Sequence, residues 1–589
     1  MSDAPDRPAE APVSSPATIP PARSLRLWPG VVIVILELTA VFVPSWVAPA
    51  TFAQFMAMFW GPMIASALLA VWWMFRSRVD WGDKFLVLSA AVLGGAATTY
   101  LVDKTVPFGL LLYGLPTVTT VWVAWLLVTS PLVWTWRRNG LCAAILLSWG
   151  YFTLVRFDGT YGELQSQMSW RWMPTAEQKF LAAKPNAPTP AAEAAAEPLM
   201  LSEGDWPGFR GPERNSRLDG VTINADWAAK PPPLVWKQRI GPGWGSFAVV
   251  GDRLFTQEQR GENEAVVCYS AADGAELWVH NDAVRFEEVV AGAGPRATPT
   301  FAEGRLFAFG AKGLLNCLDA ATGAKIWSRD VAAETKAATP QWGFSSSPLV
   351  AGDVVVVLPA GPDDHTLAAY DAATGEPRWN AAKGVYSYSS PQMLTVAGVP
   401  QVLSMSDQGL DAVDAATGKA LWRYAWALPA GMGRIVQPYV DGDRILVGTG
   451  QGIGSKLIQV SHSETGWSTT DVWESKDLKP YYNDFVVLDG HAYGFDHNLF
   501  ACVKWADGKR VWKKGRYGFG QVLLVADQKL LVVLTETGEA VLVSATPDGH
   551  VELGRFQAIE GKTWNHPVIV RGRLFVRNGE EMACYDVTP

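Results

Sequence analysis

Two hydrophobic rhythms divide the chain. Between Trp28 and about residue 156 the apolar residues run nearly unbroken through five stretches, at 28–48, 52–75, 85–102, 108–135 and 140–156. Most of these approach the roughly 20 residues needed to cross about 30 Å of hydrocarbon. Beyond about residue 204 the apolar runs become short and β-branched, as in Val354-Val355-Val356-Val357-Leu358 and Leu530-Leu531-Val532-Val533-Leu534. Turns such as Ala351-Gly352-Asp353 and Asp441-Gly442-Asp443 separate them. Short apolar runs bounded by Gly-Asp turns are strand and hairpin signals. The pattern predicts a transmembrane helical domain over 25–156 and an all-β domain over 204–589. Residues 1–24, rich in Pro, Ala, Ser and Asp without apolar periodicity, predict a disordered tail. Residues 157–203, ending in the tract Lys184-Pro185-Asn186-Ala187-Pro188, predict a Pro/Ala-rich spacer.

Within the β region one phrase recurs: Leu318-Asp319-Ala320-Ala321-Thr322-Gly323 then Trp327, Tyr370-Asp371-Ala372-Ala373-Thr374-Gly375 then Trp379, and Val413-Asp414-Ala415-Ala416-Thr417-Gly418 then Trp422. Looser copies end in Trp278, Trp473 (after Glu464-Thr465-Gly466) and Trp512, and a further copy places Leu553 where the others have Trp. The tryptophans fall roughly 40–50 residues apart, a period that fits the four-stranded blade of a propeller. The Gly serves a backbone conformation that a Cβ resists, and the Trp covers the neighbouring blade, so both are structural. A last copy, Cys584-Tyr585-Asp586, lacks its Trp strand, while Leu234-Val235-Trp236-Lys237-Gln238-Arg239 stands alone before the first blade. Pairing the two closes the ring and predicts an all-β eight-bladed propeller with four antiparallel strands per blade.

Charge adds an orientation. Arg23 and Arg26, then Arg76, Arg78 and Lys84, then Arg137 and Arg138, flank alternate ends of the apolar stretches, whereas the other loops carry little positive charge apart from Lys104. Basic residues are retained on the cytoplasmic side, so five spans starting inside put the tail in the cytoplasm and everything after about 156 outside it. In a Gram-negative-type cell this is a multi-pass inner-membrane protein with a periplasmic propeller. Glu37 lies inside the first span, where a carboxylate is costly, and is read either as a hydrogen-bonded packing residue or as a proton or quinone position. The Trp-rich ends Trp72-Trp73 and Trp134-Thr135-Trp136 suit the interfacial belt.

Over 589 residues the net charge of -8 and the pI near 5.5, without a Lys/Arg block, exclude nucleic acid as an expected partner. Cys142, Cys268, Cys317, Cys502 and Cys584 are widely spaced and include no Cys-x-x-Cys pair, and the seven histidines show no ligand spacing, so no metal site is predicted. The Gly-rich run Gly448-Thr449-Gly450-Gln451-Gly452-Ile453-Gly454 opens no helix and reads as a hairpin, and no Gly-x-Ser-x-Gly elbow is present.

The repeat resembles that of the pyrroloquinoline-quinone (PQQ)-like propellers, and Asp205-Trp206-Pro207-Gly208-Phe209-Arg210-Gly211-Pro212 resembles the opening motif of PQQ-like repeat proteins. The resemblance covers roughly residues 204–589. It implies the fold, and it implies one of two functions, because the superfamily includes quinoprotein dehydrogenases and also the non-enzymatic propeller subunit of the outer-membrane β-barrel assembly machine. Quinoprotein dehydrogenases stack PQQ between a Trp and a disulfide of adjacent cysteines, with Ca²⁺ held by carboxylate and amide ligands and an Asp as base. This chain has no adjacent Cys pair, and no catalytic residue or cofactor is predicted for it. Membrane glucose dehydrogenases nevertheless share the order of five spans followed by an eight-bladed quinoprotein domain.

In a propeller the residues entering each inner strand line the tunnel mouth. The predicted binding ring is Trp244, Arg296, Trp342, Tyr388, Arg434, Gln437, Asn483, Asp484, Trp564 and His566, accompanied by Ser246, Thr298, Ser345, Ser347, Tyr386, Ser390, Tyr482, Phe519, Gln521 and Asn565. Aromatics, amides and two arginines suit a ligand or peptide funnel, whereas the small hydroxyls also suit simple satisfaction of strand ends. The expectation is a membrane-anchored scaffold that binds a protein, peptide or ligand in cell-envelope assembly. The alternative is a PQQ- and Ca²⁺-dependent alcohol or sugar dehydrogenase that passes electrons to membrane quinone.

Overall fold

The computed structural model describes residues 25–47, 51–184 and 198–589, so the expected tail and most of the Pro/Ala tract lie outside the described residues. The described residues fall into two compact units, one of residues up to Val43 with Met56–Leu154 and one of Pro44–Phe55 with Val155–Pro589.

The first unit is helical. Four helices, Trp28–Val47, Ala53–Arg76, Trp81–Leu101 and Pro107–Val128, are long and apolar enough to cross a membrane. A fifth, Trp134–Leu154, starts with Arg137, Arg138 and Asn139 in its first turns, and only its later part is apolar. The five expected spans therefore resolve into four that qualify and one helix of mixed character. Small residues bring these helices together: a Cβ on Gly94, Gly95 or Gly114 would stand 3.0–3.1 Å from the Trp149 ring, whose indole N–H donates to Ala91 O at 3.0 Å. Glu37 is buried and accepts from Thr119 Oγ1 at 2.5 Å.

The second unit is the propeller. Seven four-stranded blades follow in sequence order, the first spanning Ala248–Val250 to Glu276–Asp282 and the seventh Gln521–Val525 to Glu552–Gln557. The eighth takes Val568–Val570, Arg573–Arg577 and Glu581–Asp586 and borrows Leu234–Arg239 as its outer strand, with Cys584 opposite Trp236. A Lys237–Glu581 ion pair at 2.7 Å lies across that closure. The ring thus closes as the incomplete last repeat requires, which leaves only the short edges of the individual blades.

The repeated phrase builds the joint between blades. Asp319 Oδ1 accepts from the Thr322 amide at 2.8 Å and its hydroxyl at 2.7 Å, which fixes a tight turn that Gly323 completes at φ +74°. A Cβ on Gly323 would stand 2.5 Å from the Trp278 ring of the preceding blade, and that indole donates to Ala320 O at 3.1 Å. The same lock recurs from Trp236 to Ala271 O, Trp327 to Ala372 O, Trp379 to Ala415 O, Trp473 to Trp505 O and Trp512 to Thr546 O. Trp422 is the exception and donates to Gln401 Oε1 of its own blade at 2.7 Å. The reason is that the next blade carries its Gly466 turn out on a long hairpin, Gly454–Ser463 with Gly466–Ser475, where nothing approaches within 4 Å of a Cβ.

The expected spacer is folded over its first half. Val155–Thr160 and Ser166–Trp170 pair as a hairpin, and Ala176–Ala183 forms a helix. Thr175 and Gln178 close a reciprocal capping box at its start, and Glu177 pairs with Arg285 of the propeller at 3.0 Å. Sequence order alone reads this stretch as a linker because its strands are short and polar, and most of what they gain comes from the surface on which they lie.

Candidate functional site

The predicted ring divides into two layers. Deeper in the tunnel, small polar side chains link blade to blade: the Ser246 amide donates to Thr298 Oγ1 at 2.8 Å, the Thr298 amide to Ser347 Oγ at 3.0 Å and the Ser347 amide to Ser390 Oγ at 2.9 Å. Gln437 Nε2 continues to Ser390 O, Gln521 Nε2 reaches Tyr482 O and Trp564 O, and Asn565 Nδ2 reaches Gly243 O and Gly245 O. These groups satisfy strand ends and are buried.

The same layer is engaged from within by residues 205–218, the segment that carries the opening motif. It touches all eight blades. Trp206 bridges Val249, the Phe301 amide donates to Pro207 O, and Arg214 donates to Ser347 O and Pro348 O. Gln392 donates to Arg214 O, Arg210 reaches Gln437 Oε1 and Phe485 O, and Arg217–Leu218 extends the inner edge of the seventh blade. Arg210 pairs with Asp484 at 3.3 Å, both buried. Its Nε also donates to Ser216 Oγ at 2.6 Å, and Ser216 lies 2.8 Å from His566 Nε2, while His566 Nδ1 faces Pro567 O at 2.7 Å. That chain is consistent with a neutral imidazole donating from Nδ1 and accepting from Ser216 at Nε2. Burial, then the neighbouring Arg210 charge, pushes the His566 imidazole down to about 3. Burial pushes the Asp484 carboxyl up and the Arg214 guanidinium down to about 9. Gln437, Asp484 and His566 therefore sit on the tunnel axis against this plug. Asn483 is buried beside them and accepts the Tyr481 amide at 2.9 Å. Arg434 is fully buried, donating to Ser406 O at 2.6 Å and Trp426 O at 2.5 Å over the Trp426 ring, so it braces a loop.

The outer layer is aromatic: Trp244, Trp342, Tyr386, Tyr482 and Trp564 are half-buried, while Tyr388 and Phe519 are buried behind them. Trp244 packs at a tilt against Trp564 at 5.0 Å and Trp564 against Tyr482 at 5.1 Å, and Tyr482 stacks with Phe519 at 5.2 Å. Trp342 lies 5.4 Å from Tyr388, whose hydroxyl donates to that of Tyr386 at 2.8 Å. Arg296 pairs with Glu288 at 2.8 Å. Two buried charges that sequence reasoning did not single out complete this layer. Lys562 Nζ lies over both the Trp244 and Trp564 rings, at 5.1 and 4.6 Å, and burial pushes it down to about 8. Glu536 accepts from Trp564 Nε1 at 2.7 Å and from the Phe519 amide at 3.3 Å, and burial pushes its carboxyl up. The indole nitrogens of Trp244 and Trp342 and the hydroxyl of Tyr482 are buried there without a partner. Both charges lie outside the repeated phrase, in loops without periodic signal.

Among the described residues no group of three or more His, Cys, Asp or Glu side chains is placed to hold a metal ion. Cys268, Cys317, Cys502 and Cys584 each occupy the third strand of a different blade, so no two are adjacent.

Eight blades of this repeat, closed by an early strand and preceded in sequence by apolar helices, define an eight-bladed β-propeller with an N-terminal helical unit. Residues 262–514 match the family model described as outer membrane protein assembly factor BamB. The BamB of Shewanella oneidensis is 28% identical over 303 residues, covering 48% of this chain and 72% of that protein. Among solved structures, BamB from Moraxella catarrhalis is 17% identical, covering 60% of this chain and 97% of its own, with a TM-score of 0.44. The quinohemoprotein alcohol dehydrogenase from Comamonas testosteroni is 14% identical, covering 70% and 85%, with a TM-score of 0.47.

Proposed function

We propose that this protein is a membrane-anchored scaffold whose propeller lies outside the cytoplasm and binds a polypeptide partner in assembly of the cell envelope. The observation that carries this reading is the outer layer of the mouth. There, half-buried aromatic rings surround indole and hydroxyl donors that the protein leaves unpaired, the composition that binding surfaces favour. The similarity to BamB, named as an outer-membrane assembly factor, supports the envelope setting, and basic residues at alternate ends of the apolar helices support the orientation when Trp134–Leu154 is counted as a fifth crossing, since four crossings from the cytoplasm would return the chain there. Support for a reading without PQQ comes from the donor set, which lacks an adjacent Cys pair, and from the axis, which is filled by Arg210, Arg214 and Ser216.

The test is affinity capture from solubilised envelopes with the full chain beside Trp342→Ala and Tyr388→Ala. A reproducible partner lost in both variants supports the reading, and equal capture by all three proteins refutes it. Titration with PQQ and Ca²⁺ separates the alternative, since a saturable quinone absorption band at micromolar concentrations would return the protein to the dehydrogenases.

A further inference from the structure

One part of the mouth already holds a length of polypeptide, and it is the protein's own. The tip of the hairpin that starts at Val155 reaches the aromatic layer. The Thr160 amide donates to Val290 O at 2.8 Å, and Lys562 Nζ donates to Thr160 O at 3.1 Å and Val290 O at 3.0 Å. The Gly162 amide donates to Glu536 Oε1 at 2.6 Å. Glu163 meets Asn498, and Arg516 at 3.3 Å. Glu536 and Lys562 thus grip backbone N–H and C=O groups, contacts that any extended segment offers whatever its side chains. Only two features of the tip are read chemically. A Cβ at position 162 would stand 2.2 Å from Phe519 and 2.6 Å from the Tyr482 hydroxyl, so the pocket admits glycine alone. Gly162 is absent from the positive-φ glycines, so this close approach and not backbone conformation requires it. The following position is a carboxylate facing an amide and a guanidinium. The occupant nevertheless leaves Trp244 Nε1, Trp342 Nε1 and Tyr482 OH buried and unpaired, an incomplete match whose unmade hydrogen bonds a better ligand would supply.

We infer that residues 159–164 are a resident stand-in for the partner, and that the mouth recognises a Gly-acid turn of another polypeptide, which must displace this loop to bind. The inference rests on the reading of the mouth as a polypeptide site. Because the loop is tethered, it competes at an effective concentration on the order of millimolar, which holds the mouth shut against weak or non-cognate segments.

The experiment uses the full chain in detergent and, as probe, a fluorescent cyclised peptide of this chain's residues 157–168. Gly162→Leu evicts the loop, and it should bind the probe at least tenfold more tightly than the natural protein, with Glu536→Gln or Lys562→Met added to Gly162→Leu removing the gain. Near-ultraviolet circular dichroism and the unfolding temperature check that the propeller of Gly162→Leu is intact. In the unaltered protein, saturating probe should accelerate hydrogen exchange at the Thr160 and Gly162 amides. Equal affinity in the two proteins, no binding by either, or unchanged exchange overturns the inference. Envelope capture reads separately: partner recovery that depends on Trp342 and Tyr388 while the probe fails would retain the polypeptide-binding function and discard the stand-in.

Discussion

The two layers of the propeller mouth are built from the same repeat and have opposite characters. In the deeper one residues 205–218 lie along the inner strands, with Arg210 and Arg214 buried and paired or hydrogen-bonded to carbonyls. In the outer one several aromatic rings are half-buried, donors are left unpaired, and the chain's own hairpin covers the sector of Tyr482, Phe519 and Lys562. The difference teaches where stability and recognition reside. A layer filled by a segment touching every blade has given up its capacity to bind anything else, while a layer left under-satisfied retains it.

Substitutions should separate the two. Arg210→Met leaves the buried Asp484 carboxylate uncompensated and should cost about 3–5 kcal/mol by denaturant or thermal unfolding. Arg210→Met with Asp484→Leu should recover most of that. A loss under about 1 kcal/mol would show that the plug holds nothing together. Acid is the next lever. The folded His566 lies at about 3, below its ordinary 6.5, so the unfolded chain binds more protons between these values. Its contribution is complete above about pH 6.5 and drains away as pH falls toward 3, by up to about 5 kcal/mol. His566→Gln should flatten that slope in a series of unfolding curves. Gly323→Ala, forcing a Cβ into the Trp278 ring at positive φ, should cost about 1–3 kcal/mol. Smallest in stability is the outer layer: Trp342→Ala should move unfolding by less than about 1 kcal/mol while abolishing partner capture. A large loss of stability there would erase the contrast.

The joinery of this fold is legible in the sequence because it repeats. Asp319, Gly323 and Trp327 recur with fixed offsets, and the unfinished Cys584-Tyr585-Asp586 requires the stray Trp236 strand. The site is legible only in part. Counting back from the start of each inner strand finds Trp244, Trp342, Tyr388 and Trp564, but it also gathers Gln437, Asp484 and His566, which lie deeper. What separates them is the plug, a single-copy segment with no period to betray it. Glu536 and Lys562 escape for the same reason. The docked helix carried a signal that goes unread, the Thr175-x-x-Gln178 capping box ahead of Phe180. The hairpin carried almost none, since its glycine answers to rings more than 300 residues away along the chain, Phe519 and Tyr482.

Repeat arrays ordinarily tolerate the gain or loss of a unit, because each one meets only its neighbours. Residues 205–218 remove that freedom here. Every sector of the ring meets one short stretch of chain: Val249 at Trp206, Phe301 at Pro207, Gln437 and Phe485 at Arg210, Pro348 and Gln392 at Arg214, His566 at Ser216 and Leu524 at Arg217. The segment therefore works as a template that counts. A ring with one blade more or fewer would put these contacts out of register, so the plug favours eight repeats alongside the closing strand.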